Sequence, residues 1–262
     1  MVRRASAAGL AAIALTDHDT VAGVGEARAA AAAGGLRVVA GCEFSVAVPW
    51  GELHLLGYFL PHGDPDLEAF LAEQRGLRHA RMVEIVRRLA GTGIPISFTE
   101  IAELAGGATL GRPHAARALV TRGVVRDIGE AFDRYLRAGR VAYVPKRLPD
   151  LSHVTGLVRR LGGVTSAAHL KERGTAPSVA RLRAAGVDGI EVRHPAHDRE
   201  MQHRLSALAQ HENLLPTGGT DWHGDVEAEA QGRAALGTIT VPLAWLDDLE
   251  HLHHQRVEER KP

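Results

Sequence analysis

The chain has few aromatic residues, hardly any lysine, a single cysteine and no excess of either charge. Aromatics are 4% of its 262 residues, so Ala, Val and Leu have to fill the interior, and a 45% hydrophobic share is enough for a sizeable core. The lone cysteine, Cys42, excludes an internal disulfide and points to a reducing, cytoplasmic compartment. Lys and Arg together number 31, as do Asp and Glu, so bulk charge gives no general attraction to nucleic acid and leaves only a local patch open. Lysine occurs only at Lys146, Lys171 and Lys261; the other basic residues are arginines. No apolar run approaches the roughly 20 residues needed to span a bilayer; the longest, Gly9 to Leu15, ends in Thr16-Asp17-His18-Asp19. That ending also removes the pattern of a secretory signal, although Arg3 and Arg4 precede the run. No internal period marks a repeat protein.

What the sequence does have is histidine, 15 in all. The length suits one barrel-sized domain or one domain with an insertion. Short apolar runs at Ala11–Thr16, Leu36–Ala40, Glu52–Phe59, Gly163–Ala167, Gly189–Val192, Leu214–Pro216 and Gly237–Val241 predict strands. Helical patterns lie between most of them, at Val21–Ala33, Asp66–Ala90, Leu151–Leu161, Ser178–Ala185 and Asp198–His211. This alternation predicts an α/β fold with a parallel sheet covered by helices. Residues 98–143 break the alternation with several short helices and are expected to form a small helical insertion into a domain made of 1–97 and 144–262. From Asp247 onward the highly charged end predicts a surface helix.

Metal-ligand residue types recur beside these strands. Asp17, His18 and Asp19 follow the first, Glu43 the second, His169 the fourth, and Asp221 and His223 the sixth; His54 lies within the third. Parallel α/β barrels assemble their sites from residues far apart in sequence at strand ends. Imidazole and carboxylate together suit zinc, manganese and iron. A carboxylate such as Glu43 can bridge two ions, and a pair of ions clamps the attacking and leaving oxygens of a phosphoryl group. Taken singly, each residue has a plainer reading: His54 as a hydrogen-bonded structural residue, Asp17 as a helix cap in competition with Thr20, Asp221 as a turn residue. The recurrence of these types beside strand after strand favours a metal cluster.

The segments Leu15-Thr16-Asp17-His18-Asp19-Thr20, Gly41-Cys42-Glu43-Phe44-Ser45, His54-Leu55-Leu56-Gly57-Tyr58, Gly111-Arg112-Pro113-His114, Ala168-His169 and Gly219-Thr220-Asp221-Trp222-His223 resemble the PHP (polymerase and histidinol phosphatase) superfamily, and within it the TrpH/YciV-like branch. The resemblance covers nearly the whole chain. It implies a distorted seven-stranded (β/α) barrel with a helical insertion and a cluster of two or three divalent ions, manganese, iron or zinc. It also implies removal of the 3′-phosphate from nucleoside 3′,5′-bisphosphates, or 5′→3′ trimming of short RNA. The implied partners are a small nucleotide or a short RNA 5′ end, with no membrane and no protein partner. By the same resemblance Glu43 matches the bridging carboxylate, His54 and His169 ligands of one metal, His18 and His223 ligands of a third, and Asp221 a ligand of the first. Glu43, Asp221 and Asp17 are the candidate catalytic residues, with Asp17 and Asp19 expected to orient His18. Arg112 and His114 match a phosphate-contacting pair, and Arg suits bidentate phosphate contact; the plainer reading of Arg112 is a solvated surface residue. His194 and His197, near a strand end, are candidates for substrate contact.

Relatives in this superfamily begin with a strand bearing Asp-x-His-x-His and then Ser-Asp-Gly, ahead of the region matching Val2 to Leu10. This sequence starts after both, so the expected barrel lacks its first strand and two His ligands of the first metal site. Leu170 also stands where the family usually has Pro. Two expectations follow: a start site lying further upstream, or a shortened chain with an impaired first site that binds nucleotide or RNA without turnover. A histidinol-phosphatase-like activity is a further alternative, disfavoured by the Gly-Arg-Pro-His insertion.

Overall fold

The computed structural model describes residues 1–224 and 234–260. The chain divides into two compact units, one made of Met1–Gly63 and Leu148–Pro262, the other of Asp64–Arg147.

The first unit is α/β. Among the described residues its strands are β1 (Ala12–Leu15), β2 (Arg37–Val48), β3 (Gly51–Tyr58), β4 (Val164–Ala167), β5 (Gly189–Arg193) and β6 (Leu215–Gly218), adjacent in that order. The helices are α1 (Val2–Ala7), α2 (Val24–Ala31), α7 (Leu151–Arg160), α8 (Ala176–Ala184), α9 (Arg199–His211) and α10 (Leu243–Glu259). Among the described residues β1 and β6 are the two ends of this order, so the sheet is open rather than closed on itself.

The sheet is mixed, which corrects the parallel sheet expected from the alternation. β1 and β2 are parallel, as are β4, β5 and β6, but β3 runs antiparallel to both of its neighbours. The reason is local. Only Pro49 and Trp50 separate β2 from β3, and a two-residue connection makes a hairpin, whereas a parallel return needs a crossover of a dozen residues or more. A second correction concerns Gly237–Val241, which forms a turn and an irregular stretch with no ladder partner among the described residues. Gly237 has φ +87°, and the Thr240 carbonyl accepts from Arg193 Nη1 at 2.8 Å, so a side chain takes a group that a strand would have used.

Packing is apolar against the sheet and ionic at one seam. Val39, Leu56, Val164 and Leu249 share one core cluster, which seats α10 on the sheet. Arg256 of the same helix is buried. It makes a bidentate contact with Asp188 and donates to the Gly163 carbonyl at 2.6 Å. Asp188 in turn accepts from the amide and the hydroxyl of Thr165 at 2.8 and 2.9 Å.

The second unit is helical: α3 (Pro65–Ala90), α4 (Phe98–Ala105), α5 (Arg112–Thr121) and α6 (Ile128–Ala131), which runs into a π-helical turn over Phe132–Leu136. Its caps follow from sequence. Asp64 accepts from the amides of Asp66 and Leu67, with Pro65 at the first position of α3. Ser97 and Glu100 form a capping box on α4. The unit includes α3 as well as residues 98–143, because Met82, Ile85 and Leu89 of α3 pack in one core with Ile101, Leu119 and Leu136.

Candidate metal centre

The strands bring the histidines together through their register. Beyond its ladder, β1 continues beside β2: the Glu43 amide donates to the Asp17 carbonyl at 3.1 Å and the Asp19 amide to the Glu43 carbonyl at 3.2 Å. His18 is thereby bridged to Glu43. In the hairpin, Glu43 pairs with Leu56 and Ser45 with His54, so Glu43 and His54 are diagonal neighbours on one face. β4 pairs Leu55 with Ala167, and the Ala168 amide donates to the His54 carbonyl at 3.0 Å, which delivers His169 beside His54. Gly41 permits the close approach of these strands: a Cβ there would lie 2.8 Å from the Gly57 carbonyl oxygen and 2.7 Å from the Thr16 methyl.

Glu43 is at the centre of the result and is buried. Its Oε1 lies 2.7 Å from His54 Nδ1 and 3.4 Å from His169 Nε2, while Oε2 lies 3.4 Å from His18 Nδ1. His54 Nδ1 and His169 Nε2 are 3.2 Å apart, and His54 Nε2 lies 3.2 Å from Glu52 Oε1. His18, Glu43 and His54 each offer a ligand atom, all within 4.8 Å of one another. The imidazoles continue as a row: ring centroids are 4.8 Å apart for His18–His54, 5.0 Å for His54–His169, 5.5 Å for His169–His194 and 5.3 Å for His194–His197. Asp221 joins at the far side, with Oδ2 3.7 Å from His194 Nε2 and Oδ1 3.5 Å from His223 Nδ1. Three residues here, Asp19, His169 and Asp221, have positive φ without being glycine. Such backbone costs about 1–3 kcal/mol each and concentrates at functional sites.

The electrostatics are those of a site built for cations. Burial pushes the Glu43 carboxyl up, but hydrogen bonds to His169 and His54 and the nearby His18 outweigh it and hold it well below the usual range. Asp221 follows the same pattern: burial raises it, and His194 and His223 bring it below its ordinary value. Asp17 goes the other way, raised chiefly by burial. Imidazole nitrogens converging on ionised carboxylates, Glu43 buried and Asp221 half-buried, make the kind of donor set that suits a divalent transition metal. The buried Nε2 of His194 has Asp221 Oδ2 as its facing charged group, at 3.7 Å.

Sequence reasoning singled out His18, Glu43, His54, His169, Asp221, His223, His194 and Asp17, and the fold places all of them in or beside this row. His197 is there too, with both ring nitrogens engaged by backbone: Nδ1 lies 3.0 Å from the Val192 carbonyl and Nε2 accepts from the Lys171 amide at 3.2 Å. Arg112 and His114 belong to the helical unit. There His114 Nδ1 accepts from the Gly111 amide at 3.0 Å. Arg112 donates to the Leu136 carbonyl at 3.3 Å, with its guanidinium 5.5 Å from the Phe132 ring centroid and 5.8 Å from that of Tyr143.

Glu191 was missed. It is buried on β5, opposite Thr217, and accepts from the His169 amide at 2.7 Å. Burial pushes its carboxyl up to about 8, with Asp221 and Glu43 adding to the rise against His169. The signal available in sequence was a carboxylate in the middle of the apolar strand Gly-Ile-Glu-Val-Arg, and such a residue is rarely buried without a purpose.

Known proteins match this chain over most of its length. The PHP domain family matches residues 1–137. A 5′-3′ exoribonuclease of Haemophilus influenzae is 34% identical over 228 residues, 85% of this chain and 83% of that protein. A 3′,5′-nucleoside bisphosphate phosphatase of Chromobacterium violaceum is 32% identical over 239 residues, 87% of this chain and 82% of that protein. The crystal structure of a protein assigned as a metal-dependent phosphoesterase from Bifidobacterium adolescentis superimposes with a TM-score of 0.85 at 30% identity, covering 96% of this chain and 89% of that one. On the match over more than half its length and on these relatives, the chain belongs to the PHP domain family.

Proposed function

We propose that this protein is a metal-dependent phosphoesterase acting on nucleotides, removing the 3′-phosphate of nucleoside 3′,5′-bisphosphates and trimming short RNA from its 5′ end. The two substrates share their chemistry: each is a nucleotide with a phosphoester at the 3′ oxygen. The observation that carries the reading is the division of labour at Glu43. One carboxylate oxygen faces His54 and His169, and the other faces His18, which is what a carboxylate between two cation sites requires. His54, His169 and Glu43 Oε1 are the proposed donors of one ion, and His18 with Glu43 Oε2 of the next. Asp221 and His223 complete the ligand set, and manganese, iron or zinc suits it. When bound, such ions supply Lewis acidity toward a phosphoryl oxygen and acidify a water nucleophile.

The chain's own residues do the rest. Glu43 is ionised before any ion arrives, so it need not lose a proton on binding. Glu52 Oε1, 3.2 Å from His54 Nε2, fixes the His54 ring so that Nδ1 points at Glu43. Asp17 shares the neighbourhood of Glu43 and His223, and its proposed role is to orient His18. Asp221 and Glu43 hold negative charge where cations offset it. His194, beside Asp221 at 3.7 Å and next in the imidazole row after His169, is the proposed substrate contact. The phosphate contacts proposed for Arg112 and His114 rest on the Gly-Arg-Pro-His motif, and the aromatic rings beside the guanidinium limit its rotamers.

Adenosine 3′,5′-bisphosphate and a 5′-phosphorylated RNA trimer, assayed with manganese, test the reading. Phosphate release from the first and mononucleotide release from the second are expected, both abolished by a chelator. Glu43→Gln should lower kcat at least a hundredfold and lose metal in elemental analysis, since one carboxylate serves both sites. Full activity in chelator, or in Glu43→Gln, would end the proposal.

A further inference from the structure

The turn after β4 is held in an unusual conformation. His169 has φ +28° and Lys171 φ +53°, and neither is a glycine. Two buried side chains from β5 and the loop after it grip this turn by its amides. Glu191 Oε2 accepts from the His169 N–H at 2.7 Å, and His197 Nε2 accepts from the Lys171 N–H at 3.2 Å. The His197 ring is itself fixed. A neutral imidazole accepts at one nitrogen and donates from the other, so with Nε2 accepting, Nδ1–H donates to the Val192 carbonyl at 3.0 Å. The gripped residue between them, Leu170, is buried. The two grips are independent of the cluster's ligand atoms, yet they determine where the His169 imidazole can stand.

We propose that Glu191 and His197 are positioning residues that clamp the His169–Lys171 turn, holding His169 Nε2 3.2 Å from His54 Nδ1 and 3.4 Å from Glu43 Oε1. The clamp gives His197 a different task from substrate contact, because both of its ring nitrogens are in use. It rests on reading His169 as a metal ligand. What matters at position 191 is an acceptor at the right place, and glutamine offers one while leucine does not.

Two measurements on the whole, metal-free protein test this. Calorimetric titration with Mn²⁺ alone should show Glu191→Leu weakened about 10- to 100-fold and Glu191→Gln within about threefold of the parent, the range expected when a partner behind a ligand is lost or conserved. Amide hydrogen exchange read by NMR should accelerate at His169 in Glu191→Leu but not in Glu191→Gln, and at Lys171 in His197→Leu. Parental Mn²⁺ affinity with unchanged His169 exchange in Glu191→Leu would overturn the clamp, as would Glu191→Gln behaving like Glu191→Leu. If Glu191→Leu does not fold, His197→Leu decides by the same two readouts. His169→Ala separates the two ideas: if it binds Mn²⁺ like the parent, the ligand reading fails, and the clamp stands or falls on exchange alone.

Discussion

At the scale of single residues, the partners of a buried carboxylate decide whether it keeps its proton. Glu43 and Glu191 are both buried acids on neighbouring parts of one sheet, yet they shift in opposite directions. Glu43 has imidazoles on both oxygens and is held well below the usual range, whereas Glu191 is desolvated and rises to about 8. The second shift predicts a pH dependence of stability in metal-free protein. In the unfolded chain a Glu ionises near its ordinary value, about 4.3, while in the fold Glu191 keeps its proton until about 8. Between those values the folded state binds more protons, so Glu191's contribution to stability is complete in acid and is lost as pH rises toward 8. Urea unfolding of the parent and of Glu191→Gln with chelator present should therefore show the parent losing ground to the variant from pH 5 to pH 8. A difference that stays level, or grows in the parent's favour, would contradict the assignment. His18, Glu43, His54 and His169 were legible in sequence because metal-ligand types recurred next to apolar runs. Glu191 was not, because a lone acid inside a strand looks the same whether it faces solvent or a site.

At the scale of elements, the hairpin of β2 and β3 is the piece that makes the cluster. Antiparallel register puts Glu43 and His54 on one face two residues out of step, an arrangement that a parallel crossover would not produce. The expected parallel sheet failed here because composition marks strands but not their direction; the two-residue link between Val48 and Gly51 was the available clue. The C-terminal helix carries a different lesson. A charged segment read as a surface helix has a buried face, and Arg256 on that face ties α10 to Asp188 and the Gly163 carbonyl. Arg256→Ala would leave Asp188 buried without its cation, so a loss of about 3–5 kcal/mol is expected in denaturant unfolding. Asp188→Asn combined with Arg256→Met should recover much of that loss, because no unpaired charge remains. A single Arg256→Ala within about 1 kcal/mol of the parent would show that the pair does not secure the helix.

At the scale of the whole molecule, the proposed metal ligands and the Gly-Arg-Pro-His motif lie in different compact units. His18, Glu43, His54, His169, Asp221 and His223 all belong to the sheet-containing unit, drawn from both sides of the helical segment in sequence. An ion bound there crosslinks residues more than a hundred positions apart, so binding energy should appear as folding energy. Manganese at a hundred times its dissociation constant adds about 2.7 kcal/mol, which for a domain of this size raises Tm by roughly 5–10 °C. Differential scanning calorimetry with and without manganese should show that rise, reversed by chelator and missing in Glu43→Gln. An unchanged Tm at saturating manganese would mean that the donors do not act as one site.

The sequence by itself determined the α/β class, the positions of most strands and helices, the helix caps, and the identity of most residues that converge on Glu43. These are local properties: hydrophobic period, capping side chains and ligand chemistry are written residue by residue. Tertiary structure alone decided the antiparallel pairing of β3 with β4, the absence of a strand at Gly237–Val241, the inclusion of α3 in the helical unit, and the grip of Glu191 and His197 on the His169 turn. Each of those depends on which backbone amide or apolar face lies opposite, and that is settled only when segments far apart in the chain pack against one another.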